Sequence, residues 1–309
     1  MADLMTATED DPVAFLDGHP LPSGGVCVLS ALWGLDDVDD RPTRLLVIGR
    51  SESFSIDVPA NLVDVTAFVT QGVELVVGLS RLDEAFVIDL STRKFTREAI
   101  YQRGHSHPEG LIGLHCIGET VLAFGMFGQV YVRPQSGRWE PMGQGLYDPT
   151  PSVRSPMINA MVGSSFEELY CVGALGLISR YDGRHWDSID SPTNVSLNQA
   201  ALTEQGQVFA CGDLGVLVRG SGDRWEAIDT GVAGGFWGIA AFLHRVFLST
   251  LDGLWVFEDA LGTTPIDMGL GPEITTYRLA ADAKFLWSFG LGDVLRFDGQ
   301  QWARHLPPP

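Results

Sequence analysis

The sequence is short of basic residues: 20 Lys and Arg stand against 39 Asp and Glu, a formal net charge of −19 over 309 residues. Proteins that grip a nucleic-acid backbone carry a basic stripe, so this deficit argues against a DNA or RNA partner. It argues equally against an anionic membrane surface. Long hydrophobic stretches are missing too. No window of about 18 uncharged apolar residues occurs, which leaves no candidate membrane-spanning helix. The acidic start, MADLMTATEDDPVAFL, lacks the basic stretch and apolar core of a secretory signal, and a cytoplasmic location is expected. Cysteine is scarce. Cys27, Cys116, Cys171 and Cys211 each lie within an apolar run and none forms a CxxC pair, so they read as small core residues. Catalytic signatures are also lacking: there is no Gly-x-Ser-x-Gly elbow and no phosphate-binding Gly-Lys-Ser/Thr loop. No catalytic residue, metal or cofactor is assigned, and the chain is expected not to be an enzyme.

What the sequence has is turns. Thirty-six Gly and 17 Pro fit many short strands better than helices. From Met157 to Ile189 four short apolar runs are separated by Gly-Ser-Ser, Gly-Ala-Leu-Gly and Asp-Gly, the pattern of a four-stranded antiparallel meander. Asp182-Gly183 predicts a type I′ hairpin turn, with both residues at positive φ. The unit recurs. Gly128, Gly176, Gly215, Gly253 and Gly292, which open the third runs, are spaced by 48, 39, 38 and 39. Trp139, Trp186, Trp225, Thr264 and Trp302, which open the fourth runs, are spaced by 47, 39, 39 and 38. A period near ~40 with four strands per unit marks a β-propeller. Asn61–Ile100 holds another four-run unit. Val26–Val58 holds one with three clear runs. The expected fold is all-β, a seven-bladed propeller of four-stranded blades. Its domain spans residues 23–309, after an N-terminal segment of residues 1–22. Val13–Leu16 is the candidate ring-closing strand, without an assigned partner. Residues 1–12 and Leu306–Pro309 are expected to be loose.

The best copy of the repeat, Val172-Gly173-Ala174-Leu175-Gly176-Leu177-Ile178-Ser179-Arg180-Tyr181-Asp182-Gly183-Arg184-His185-Trp186, resembles the V-G-x-x-G-x-I-x-x-Y-D-G-x-x-W repeats of many bacterial propellers. Its Asp-Gly turn is similar to the Asp-box of sialidases, where the element is structural and far from the catalytic centre. The arginine triad, acid and Tyr/Glu pair of that family have no counterpart set here. The resemblance therefore implies fold, with turn formation and aromatic packing as the role of the repeat residues.

Function is expected where the repeat stops explaining residues. Two inter-unit links are long, QRGHSHPEG (residues 102–110) and GQGLYDPTPSVRSP (residues 143–156), and long loops on a rigid scaffold are where binding concentrates. Candidate partner-binding residues are His105, His107 and Glu109 in the first link, and Tyr147, Asp148 and Arg154 in the second. Asp36, Asp37, Asp39 and Asp40 form a further acidic patch, expected on the opposite face. His105-x-His107-x-Glu109 has spacing that could share a metal, but a solvated Gly/Pro loop is the stronger reading. The Asp36–Asp40 stretch lacks the D-x-D-x-D-G spacing of a calcium loop.

Small, acidic propellers without enzymatic motifs resemble immunity (antitoxin) proteins, which bind and block a bacterial toxin. That resemblance implies a protein partner, in particular a basic toxin domain steered in by the negative charge, and a chain monomeric on its own. The alternative is a hydrolase or carbohydrate-binding propeller using its central pocket. Apolar and small inner runs such as Leu111–Ile117 and Phe236–Phe242 disfavour it.

Overall fold

The structure is a computed structural model that describes residues 13–32, 42–49, 52–101, 110–148, 152, 155–271 and 273–305. Period-two apolar runs broken by Gly and Asp turns give strands throughout. They pair strictly in chain order into seven four-stranded antiparallel sheets. The molecule is a seven-bladed β-propeller. None of its helices is long and apolar enough to cross a membrane among the described residues.

The first strands of blades 1 to 7 are Val13–Pro20, Leu62–Thr70, Leu111–Ile117, Ile158–Ser165, Leu197–Leu202, Gly238–Phe242 and Arg278–Ala281. Each packs on the first strands of both neighbouring blades, so seven strands ring a central axis. The middle strands carry the core. Every residue of Val208–Gly212 and of Leu286–Phe289 is buried, whereas the fourth strand Lys94–Ala99 is almost wholly exposed. Apolar clusters sit between adjacent blades: Leu45, Val47 and Ile56 of blade 1 pack with Val65, Phe86 and Ile88 of blade 2. A single sheet cannot bury both its faces, and the ring supplies each blade with a neighbour on either side.

The repeat tryptophans bolt blades together. Trp139 is buried and its indole N–H donates to Glu98 Oε2 at 3.0 Å. Glu98 also accepts a fork of two bonds from Arg133, both 2.7 Å, so a blade 2 carboxylate clamps two blade 3 side chains. Trp186 likewise donates to the Met142 carbonyl at 3.0 Å. Cys27, Cys171 and Cys211 are buried and unpaired, and Cys116 is half-buried. Burial pushes the thiols up, to about 12 at Cys27 and Cys171 and about 11 at Cys116, so they stay protonated at neutral pH.

Two details depart from expectation. The first blade has four strands, because Val13–Pro20 pairs with Gly25–Leu32, from Val13 opposite Leu32 to Pro20 opposite Val26. The run containing Val13–Leu16 is thus the innermost strand of blade 1. No strand is exchanged between blades among the described residues. The ring closes by packing: Phe15, Val26, Val28, Leu46 and Ile48 meet Trp287, Phe289 and Val294 of blade 7. A backbone bond from Phe15 N–H to the Leu291 carbonyl at 3.2 Å crosses the same seam.

The second departure is the Asp-Gly hairpin. Gly183 and Gly299 have φ of 94° and 96°, but Asp182 and Asp298 are not left-handed, so the turn is not type I′. The aspartate acts through its side chain instead. Asp182 Oδ1 accepts the N–H groups of Arg184 and His185 at 2.9 and 3.0 Å. Asp298 Oδ1 accepts those of Gln300 and Gln301 at 2.8 and 2.9 Å. These bonds stabilise the charged form and hold both carboxyls below their usual range.

Candidate partner-binding face

Strand order fixes which connections share a face. First-to-second and third-to-fourth turns emerge on one side, here the lower face. Second-to-third turns and the links between blades emerge on the other, the upper face. Contacts agree: Thr276 N–H in the link into blade 7 donates to the Leu251 carbonyl at 3.3 Å, and Gly128 N–H donates to the Pro156 carbonyl at 2.8 Å.

This assignment bears on the strand ends that flank one predicted patch. Asp36, Asp37, Asp39 and Asp40 lie outside the described residues. However, they fall between the second strand Gly25–Leu32 and the third strand Thr43–Gly49 of blade 1. The expectation of an opposite face took Val26–Trp33 for a first strand. The flanking ends, Leu32 beside Val13 and Thr43 N–H bonded to the Ala60 carbonyl at 3.0 Å, stand on the upper face. His105, His107, Glu109 and Arg154 are likewise outside the described residues, in links that leave from the upper face.

Tyr147 and Asp148 are described, and they are tied down. Tyr147 N–H donates to the Gly143 carbonyl at 2.8 Å, and Asp148 N–H to the Phe127 carbonyl at 2.9 Å. Asp148 Oδ2 accepts the Ser155 hydroxyl at 2.6 Å, which itself accepts Ser152 N–H at 2.6 Å. Tyr147 lines a cavity of about 370 Å³ with Gln129, Tyr131 and Pro141. The link is therefore a fastened shelf beside the turn of blade 3.

The sequence reading passed over the tips of the second-to-third turns. In blades 3, 4 and 5 these are type I′ turns. Phe127, Leu175 and Leu214 have φ of 60°, 56° and 55°, each followed by a left-handed glycine, Gly128, Gly176 or Gly215. A left-handed apolar residue is unfavourable by roughly 1 kcal/mol against Gly or Asn. Leu175 and Leu214 nevertheless hold their side chains 68% and 75% exposed. The equivalent turns of blades 2, 6 and 7 present Leu82, Leu251 and Leu291, all exposed. Grooves run between the tips, one of about 620 Å³ flanked by Phe127 and Leu175 and one of about 460 Å³ beside Leu214. The signal was in the sequence, as a leucine recurring before the aligned glycine where turn chemistry asks for Asn, Asp or Gly.

Around the axis the first strands are more polar than expected, because Val13–Pro20 contributes Asp17 and His19. Asp17 and Asp64 follow the same strand bulge in blades 1 and 2. Burial, then the neighbouring Asp17, pushes Asp64 up to about 8. Burial also raises Asp17, although its side chain keeps 19% exposure and Arg278 lies 4.0 Å away. Burial lowers His19 and His115. These groups lace the ring: Asp64 Oδ2 accepts Leu114 N–H at 2.6 Å, His115 Nε2 meets the Gly163 carbonyl at 2.9 Å, and Arg278 donates to the Trp237 carbonyl at 3.1 Å.

No protein-family model matches the sequence. A curated protein does. Over 193 residues the chain is 34% identical to the protein named Immune protein Tsi7 of Pseudomonas aeruginosa PAO1, covering 62% of this chain and 63% of that protein. The chain thus spans less than two thirds of the relative's length. Solved structures share the fold. A chain described as YCF48 bound to D1 peptide superposes with a TM-score of 0.66 at 13% identity, over 93% of this chain and 92% of that one. The WD40 propeller domain of Doa1 gives 0.64 at 12% identity, over 96% and 93%. At such identities the likeness concerns architecture alone.

One group of described side chains has metal-like spacing: Asp182, His185 and Asp187 on the exposed hairpin of blade 4, with candidate ligand atoms within 4.8 Å of one another. Its members already serve other bonds. Asp182 Oδ1 holds the turn, and His185 Nε2 lies 3.1 Å from Asp187.

Proposed function

We propose that this chain is a non-catalytic immunity protein that binds and blocks a protein toxin through the loops of its upper face. The observation that carries this reading is the 34% identity over 193 residues to Immune protein Tsi7. Three features support it. The upper face gathers the long links, the fastened Tyr147–Asp148 shelf and the apolar turn tips. A net charge of −19 suits a basic partner, whose approach it accelerates. A rigid closed ring is a low-entropy platform for loops. On this reading the chain works in the cytoplasm as a monomer, and the toxin domain is basic.

The test begins by expressing in bacteria the proteins encoded beside its gene, one of which should arrest growth when produced alone. Growth arrest by that protein should be relieved by this chain, and the two should co-elute as a stable complex. Growth arrest that persists at equal expression sinks the proposal.

A second reading, a hydrolase or sugar binder at the axis, gains one observation: Asp17, Asp64, Arg278, His19 and His115 stand together there. The hydrogen bonds of Asp64, His115 and Arg278 join neighbouring blades, which gives these three a structural role already. Hydrolytic activity lost in Asp64→Asn with the ring intact would favour that reading.

A further inference from the structure

Immunity is a statement about a partner and leaves open how one is recognised. The upper face of blades 4 to 7 carries two independent features. Its turn tips present Leu175, Leu214, Leu251 and Leu291, exposed at equivalent places around the ring. Two of them occupy left-handed positions that favour Gly or Asn, so the turn itself does not ask for leucine. Isolated exposed leucines need no explanation. Four of them at one turn position on successive blades, two against the local backbone preference, do.

The second feature is the rim. The segments that build this face are residues 174–177, 190–196, 213–216, 229–237, 250–253, 267–277 and 290–293. They contain no Lys, Arg or His; the cations that touch them are Arg304, paired with the buried Asp293 at 2.6 Å, and Arg278, bonded to the Trp237 carbonyl at 3.1 Å. Asp190, Asp229, Asp252, Asp267 and Glu273 in them are exposed. The lower face of the same blades is mixed, with Arg184, His185, His244 and Lys284 among its turns. Asp229 and Asp267 each cap a local turn, accepting Gly231 N–H at 3.0 Å and Gly269 N–H at 2.9 Å. Either job could be done by Asn or Ser, so turn chemistry does not account for the uniform sign.

Resting on the immunity reading, we infer that this half of the upper face is the toxin-docking surface. Its occupant is a protein segment whose exposed apolar side chains are ringed by Lys and Arg. The leucine tips enter the apolar centre of that segment. The acidic rim meets its basic border and repels acidic surfaces, including a second copy of this chain.

Leu175→Asn with Leu214→Asn tests this cleanly, because Asn accepts the left-handed backbone and the turns should keep their shape. Leu243→Asn is the matched control, an exposed leucine at φ 49° on the lower face. Two probes are used: the growth-arresting protein found in the co-expression test, and a synthetic amphipathic helix with a leucine stripe flanked by lysines, beside its lysine-to-glutamate counterpart. The leucine/lysine helix should bind the wild type and the glutamate version should not. The double variant should lose at least ten-fold in affinity for that helix and about 100-fold for the toxin. Its melting temperature should be unchanged or higher, and Leu243→Asn should bind as wild type. No binding of the leucine/lysine helix, or equal binding to the double variant, overturns the inference. A toxin that never binds wild type, while the helix behaves as expected, removes the immunity reading and leaves the surface. A toxin complex insensitive to the double variant but lost in Leu243→Asn removes the surface and leaves the immunity reading.

Discussion

Asp64 shows how a single side chain can be tuned by the ring. Its carboxyl titrates near about 8 when folded and near ~3.9 when unfolded. Between these values the folded chain holds a proton that the unfolded chain has lost, so stability falls as pH rises across that window, by up to about 1.4 kcal/mol per pH unit for one such group. Denaturant titrations between pH 5 and 8 should show this decline, and Asp64→Asn should flatten it; an unchanged slope in the variant contradicts the assignment. Gly176 offers a second residue-level test. Its φ of 73° is left-handed, and a Cβ there would collide with the Thr193 carbonyl oxygen. Gly176→Ala should therefore cost about 2 kcal/mol or more by chemical denaturation. Residue roles were unevenly legible in the sequence. The Asp-Gly turn was visible, yet its mechanism, a side-chain oxygen capping two N–H groups, was not. Conversely, Leu175 was placed in the Gly-Ala-Leu-Gly turn, yet neither its left-handed backbone nor its exposed side chain, nor those of Leu214, could be told from the letters.

At the level of elements, blades 3 to 7 could be located from spacing alone, because glycine turns and outer tryptophans recur with the blade period, and blade 2 from its four apolar runs. Blade 1 could not. Its inner strand, Val13–Pro20, carries Asp17, Gly18 and His19, and so breaks the apolar pattern that marks a strand. Missing it displaced the count by one strand, so that the strand ends Leu32 and Thr43, which flank the Asp36–Asp40 segment, were taken for lower-face ends. Deleting residues 1–20 tests the corrected order. Loss of an innermost strand opens the seam held by Phe15, Trp287 and Phe289, so cooperative unfolding should disappear; a truncated chain with an unchanged melting transition would show that segment to be dispensable. The blade 2 to blade 3 clamp gives a local counterpart. Glu98→Ala would leave Arg133, whose side chain is only 10% exposed, without its bidentate partner. A loss of about 3 kcal/mol or more is expected.

For the molecule as a whole, the fold was the most legible property and the binding site the least. A repeat is written many times over, and errors in one copy are corrected by the others. The proposed surface combines long links, written once, with turn leucines whose exposure and backbone geometry the repeat pattern does not reveal. On the proposed reading the charge balance favours a basic partner, because −19 acts at long range whatever the loops do. Association with a basic toxin should accordingly slow as ionic strength rises, while dissociation of the leucine-centred contact changes little. The most direct measurement is amide hydrogen exchange on this chain, alone and with the growth-arresting protein that it relieves in co-expression. The account predicts new protection at the upper turns around Leu175, Leu214, Leu251 and Leu291. Protection confined to the lower hairpins at Asp182–His185 and Asp298–Gln301, or none at all, would contradict it.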